Sequence, residues 1–394
     1  MKLLALVSVA LLGYAAIWAQ NTGRQSGKTA SEGYKSGHSQ KASPPGKSSA
    51  APGPADKAIE RGAKWLASVQ GADGGWGQDG GDPSYVRQNV PLESNGNDVA
   101  NTAIAALALL RAGNQYRPNV ERAVDFILRQ VEASPAEGLS ITNGKPTQVQ
   151  RKLGPYIDTF VASMLLAQVD GTFPKTNARI RSGLEKCVAK IENNQTKDGS
   201  WNAGGGWAPV LGTSIASRSL FAAQQKGVAV NMNVMARADD YTIKNQKDKD
   251  SMAAGSGSGG GVGAGDGRSL ATGPASAGVP LYQDAQALEQ LSRTEDSRKA
   301  NAKEIAGINS RLSDRRFVDG FGSIGGEEFF SYLNIGDSLR RSGGKQWNDW
   351  HSQITEKILQ LQNGDGTWSG HHCITGRVAV TSAAILNLTT EVVD

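Results

Sequence analysis

The chain has 394 residues, 38% hydrophobic and 20% charged, which supplies apolar side chains for a sizeable core and excludes a wholly disordered protein. Its 49 glycines and 14 prolines exceed average usage and call for many turns. The net charge of +5 gathers in the N-terminal stretch, at Lys2, Arg24, Lys28, Lys35, Lys41 and Lys47 against Glu32. The remainder is near neutral and offers no cationic face to a nucleic acid, so no nucleic-acid partner is expected.

In chain order, Lys2 followed by the apolar run Leu3 to Trp18 and then Ala19 reads as an export signal over residues 1–19, with an uncleaved anchor as the alternative. This predicts a periplasmic or secreted protein. Residues 20–55, rich in Ser, Gly, Lys and Pro, predict a disordered tether, with order beginning near Asp56 and running to 394. Two cysteines, Cys187 and Cys373, exclude a disulfide scaffold and leave their pairing open. Cys187 reads as a core residue on a helix.

From Asp56 onward the chain repeats itself. Gln70, Asp73, Gly74 and Trp76 share one spacing with Gln195, Asp198, Gly199 and Trp201, and with Gln362, Asp365, Gly366 and Trp368. An amphipathic helical pattern precedes each copy, the Asp-Gly pair is expected to stop that helix, and the Gln and Trp to staple the turn. An apolar helix follows each turn, entered through a threonine: Asp98 to Gly113, Pro155 to Val169, Gly212 to Gly227 and Gly376 to Val392. Weaker copies place outer helices around Val120 to Gln130, Val234 to Gln246 and Ile305 to Leu312, with inner partners at Leu281 to Leu291 and Phe329 to Leu339. The glycine-rich stretch 251–274 then becomes an insertion within one repeat.

The repeated Q-x-x-D-G-x-W element resembles the QW motif of the squalene cyclase and protein prenyltransferase superfamily, and Arg61, Gly62, Leu66, Gln70 and Trp76 are similar to its fuller pattern. The resemblance implies an all-α toroid of six outer and six inner helices around a central cavity, holding an isoprenoid or other lipid ligand. Class II terpene cyclases carry D-x-D-D-T-A at an inner helix start. Here the similar segment is Asp98, Val99, Ala100, Asn101, Thr102 and Ala103, which lacks the proton-donating carboxylate. An alkene is a very weak base, so neither Ala100 nor Asn101 can serve as its acid. Prenyltransferases hold zinc through Asp-x-Cys and a distant His. The nearest imitations are Glu185 with Cys187, and the cluster His371, His372 and Cys373.

The candidate catalytic residues are therefore Asp98, His372 and Cys373, the last expected to be a lowered-pKa thiolate through a helix N-terminus and a neighbouring imidazole. His371 and Cys373 are the candidate zinc ligands. Asp158, taken to match Asp98 in repeat position as a second inner-helix cap, together with Glu327 and Trp207, is the candidate for ligand binding. The alternative reading is a non-catalytic scaffold module that engages a protein partner of the cell envelope.

Overall fold

A proline at its first position and the Asp56 carboxylate accepting the Gly53 N–H at 2.9 Å start helix α1 (Pro54–Ser68) two residues before the expected onset of order. The computed structural model describes residues 52–79, 96–142, 147–201, 209–255, 284, 287–312, 325–342, 344–371 and 373–390. The chain divides into Met1–Ala50 and Ala51–Asp394, and every described residue belongs to the second unit. The export signal, nearly all of the tether, Trp207, His372 and the glycine run beyond Gly255 lie outside the described residues.

Two kinds of helix alternate. Helices α1, α3 (Arg117–Ala133) and α6 (Asn177–Asn193) each bury one stripe, such as Ala58, Gly62, Ala63, Trp65 and Leu66 in α1, and keep the other face polar. Helices α2 (Val99–Ala112) and α5 (Ile157–Val169) are buried on nearly every side. The remaining outer helices are α8 (Met232–Gly255), α10 (Ala302–Leu312) and α12 (Gly344–Gln360). The remaining inner ones are α7 (Pro209–Gln225), α11 (Gly326–Ser342) and α13 (Arg377–Leu388). Two short helices are additions that hydrophobic periodicity does not announce, α4 (Gln148–Leu153) and α9 (Glu295–Ala300). A helical turn at 287–291 stands where the Leu281 to Leu291 inner helix was expected, its start lying outside the described residues. The fold is all-α as expected, although the full six-and-six count rests partly on residues not described.

The repeated turn has one construction in all three copies. The indole N–H of Trp76, Trp201 and Trp368 donates to the outer-helix carbonyl ten residues earlier, on Leu66, Ile191 and Ile358, at 2.7–2.8 Å. Each Trp backbone N–H is received by the hydroxyl of the inner-helix threonine, Thr102, Thr213 or Thr381. The Asp carboxylates of 73, 198 and 365 each accept the backbone N–H two residues on, at 3.0 Å. The glycine is not the helix stop that its sequence position suggested. The first two helices end before the Gln, with caps at Val69 and Asn194, and α12 ends at Gln360. Gly74, Gly199 and Gly366 instead take φ of 93°, 89° and 89° inside the turn. A Cβ on Gly74 would lie 2.4 Å from the Arg122 carbonyl oxygen, and one on Gly199 2.1 Å from that of Arg237.

Each turn is therefore pressed against the next outer helix. Gln70 donates to the carbonyl of Asn119 in α3, Gln195 to that of Val234 in α8, and Gln362 to that of Ala58 in α1. The last contact joins residues 304 apart and brings the final repeat back to the first helix. Arg61 completes this closure by donating to the Gln362 side chain at 3.3 Å and to the Gly364 carbonyl at 2.6 Å. The inner helices follow suit: α2 packs between α13 and α5, α5 reaches α7, and α11 packs on α13. The turn after α3 has no Gln or Trp. There Lys190 of α6, 1% exposed, donates to the carbonyls of Pro135, Glu137 and Gly138 in their place.

Candidate functional site

The N-terminal ends of α2, α5, α11 and α13 carry most of the residues nominated from sequence. Asp98 caps α2: one carboxylate oxygen accepts the Asn101 backbone N–H at 2.9 Å and the other its side-chain amide at 2.8 Å. Burial pushes its pKa up to about 6, against the pull of the Asn101 hydrogen bonds and with added help from the charge of Asp158. Asp158 is not the equivalent cap. Tyr156 caps α5, and aligning Thr159 with Thr102 puts Asp158 opposite Asn101, one turn deeper than Asp98. Its carboxylate, 1% exposed, accepts the Thr142 hydroxyl at 2.6 Å, and burial raises its pKa to about 6.

Cys373 is half-buried near Glu327 and Lys152 and held at φ 59°. The expected activation is reversed. Burial and the neighbouring Glu327 carboxylate push the thiol up, with Lys152 of α4 opposing, which disfavours the thiolate. His371 is exposed, and among the described residues no group of three or more His, Cys, Asp or Glu is gathered closely enough to hold a metal ion. Cys187 is fully buried on α6, its thiol raised by burial to about 12, and both cysteines are free. Glu327 is buried in the first turn of α11, and beside it Glu328 is raised to about 8 by burial and by the Glu327 charge.

Helix α4 binds this end together. A capping box on Thr147 and Gln150 starts it, and it packs against α2, α5 and α7. From there Gln148 crosses to the start of α13, accepting the N–H groups of Thr375 and Gly376 at 2.9 and 3.3 Å and donating to the Thr375 hydroxyl. Helix α4 thus touches α2, α5 and α7 and, through Gln148, the entry to α13.

Of the large apolar residues on α2, α5 and α11, Leu110, Met164 and Leu333 are half-buried, and Leu107, Val161 and Phe330, three residues earlier on the same faces, are buried but keep 6–8% exposure. Charged or amide groups continue the same faces at helical spacing: Arg111 after Leu107, and Asn334 and Asp337 after Phe330. Near Asp337 the Arg218 side chain of α7 bonds to Asn334 and Asp337 and pairs with Glu289 at 3.3 Å. Sequence reasoning missed this second cluster. Its signal was present as single arginines, Arg111 and Arg218, inside two otherwise apolar helices.

Residues 47–169 match the squalene-hopene cyclase C-terminal domain family. A squalene–hopene cyclase of Bradyrhizobium diazoefficiens is 40% identical over 73 residues, which is 18% of this chain and 11% of that protein. A probable squalene–hopene cyclase of Sinorhizobium fredii is 36% identical over 72 residues, again 18% of this chain and 11% of the relative. The chain thus matches about a ninth of the length of these curated relatives. Over the matched segment the chain is similar to the squalene-hopene cyclases.

Proposed function

We propose that this chain is an exported, terpenoid-cyclase-like helical domain that holds an isoprenoid or other apolar ligand between its inner helices, without alkene-protonating chemistry. The observation that carries the reading is the set Leu110, Met164 and Leu333, half-buried on helices otherwise largely buried, each with a buried apolar neighbour three residues before it, Leu107, Val161 and Phe330. Apolar area left unfilled there is stabilised by an apolar guest, at roughly 25 cal/mol per Å² covered. The acid step has no carrier: Ala100 stands where the related cyclases place the donor, and both oxygens of Asp98 are engaged by Asn101. Asp98 and Asp158 act instead as fixed polar groups at the N-terminal ends of α2 and α5. Export follows from residues 1–19, and no described helix is long and apolar enough to cross a membrane.

The test is native mass spectrometry of protein purified from its own source, beside the denatured mass. A non-covalent excess matching a lipid is expected, and Met164→Trp, which fills the enclosed space, should remove it while the melting temperature holds. A bare polypeptide mass after gentle handling, together with no binding of an added apolar alcohol, would return the domain to the scaffold role.

A further inference from the structure

The charged cluster at the other end of the inner helices is not balanced. Arg111 belongs to α2, Arg218 to α7, and Asp337 and Arg340 to α11. Helix α5 stands between α2 and α7, and α13 between α2 and α11, yet Arg218 of α7 bonds to α11 and Arg111 of α2 feels the charges of both, so side chains from three helices that are not main packing neighbours come together. Arg218 is only 11% exposed and already takes Asp337 and Glu289 as its partners. Arg293, 5% exposed, lies 3.6 Å from Asp239 and 3.9 Å from Glu289. Arg111 feels Asp337, Arg218 and Arg340, yet it makes no hydrogen bond or ion pair among the described residues, and its Nη1 is buried without a partner. Among the described residues four arginines, 111, 218, 293 and 340, thus stand against three carboxylates, 239, 289 and 337, one more positive charge than negative.

We propose that this end of the enclosed space binds a carboxylate, with the Arg111 guanidinium as its principal donor, so that the guest is an amphiphile: a single-charged anionic head at Arg111 and an apolar body along Leu107, Met164 and Phe330. The inference rests on the apolar-ligand reading above and adds the head group to it. A planar guanidinium with a free edge matches a carboxylate in shape and charge, and one monoanion neutralises the excess. Burial pushes the Arg111 pKa down, Asp337 opposes this, and the like charges of Arg218 and Arg340 add to it, as expected for a cation with no counter-ion of its own among the described residues. Glu289 and Asp337 disfavour a second negative charge, which makes a carboxylate a better fit than a dianionic phosphate.

The experiment compares dodecanoate with dodecanol, below their aggregation concentrations, by calorimetry at pH 7 on the full chain and on Arg111→Met. The Met variant removes a side chain with no partner and should melt no lower than the parent, so a loss of binding is not a loss of fold. Dodecanoate is expected to bind the parent about tenfold or more tighter than dodecanol, and the Met variant to erase that preference while still binding dodecanol. Equal binding of acid and alcohol, unchanged in the variant, would overturn the anion site and leave the apolar reading standing. Binding of neither compound would overturn both.

Discussion

Asp158 is the side chain whose environment departs furthest from what its neighbours in sequence suggest. It is 1% exposed, and burial raises its pKa from 3.8 to about 6. A carboxyl raised in the folded state is held in its protonated form, so its contribution to stability is complete below about pH 4. That contribution is lost as pH climbs towards 6, on the order of 2 to 3 kcal/mol for a shift of this size. Asp158→Asn keeps an acceptor for the Thr142 hydroxyl and removes the charge. It should match the parent at pH 4, exceed it by about 2 to 3 kcal/mol at pH 7, and flatten the pH dependence between. Urea titrations at four pH values give the answer, and parallel curves would mean that Asp158 ionises like a solvated carboxylate. Cys373 makes a kinetic counterpart. With its thiol pushed up by burial and by Glu327, alkylation by iodoacetamide at pH 7 should be slower than for a free cysteine.

Among the elements, the repeated turn was the most legible part of the chain, because its chemistry sits within a few residues. The spacing from Gln to Trp is set by one turn, and the threonine that receives the Trp N–H stands near the start of the next helix in each copy. Thr381→Val tests that construction. It keeps the shape but strips the hydroxyl that accepts the Trp368 N–H at 2.9 Å and donates to the Trp368 carbonyl at 3.2 Å, both buried. The expected cost is about 1 to 3 kcal/mol in denaturant unfolding, with the slope unchanged. A loss under about 0.3 kcal/mol would mean that water or a local shift satisfies Trp368. The site was less legible, for the converse reason. Helix α4 is six residues long, too short for periodicity to declare, and it acts through Gln148 on partners 227 residues away. Lys190 replaces a missing staple by reaching 52 to 55 residues back to three carbonyls, and nothing in its own helix predicts that. The lowered Cys373 pKa expected from sequence is reversed by burial and by Glu327, which is distant in sequence.

At the scale of the whole molecule, the same hydrogen bond does two different jobs. Gln195 ties its turn to α8 across 39 residues, whereas Gln362 ties its turn to α1 across 304 and so returns the last repeat to the first. Both side chains also close their own turn, to Gly199 and Gly366, each at 2.9 Å, so the local loss on truncation is alike. Gln195→Ala and Gln362→Ala should each lower global stability by about 1 to 2 kcal/mol. They should differ in where the chain opens. Without Gln362, and with Arg61 left without its side-chain acceptor, α1 keeps its packing on α2, α12 and α13 but loses the clamp at its N-terminal half. Hydrogen exchange in the peptide Pro54–Ser68 should then quicken about tenfold, while α5 and α7 keep their parent rates. In Gln195→Ala the order reverses, with α6 and α8 loosening and α1 unaffected. If Gln362→Ala raised exchange evenly across all helices, the fold would open as one cooperative unit and the junction between last repeat and first would hold no special place in it.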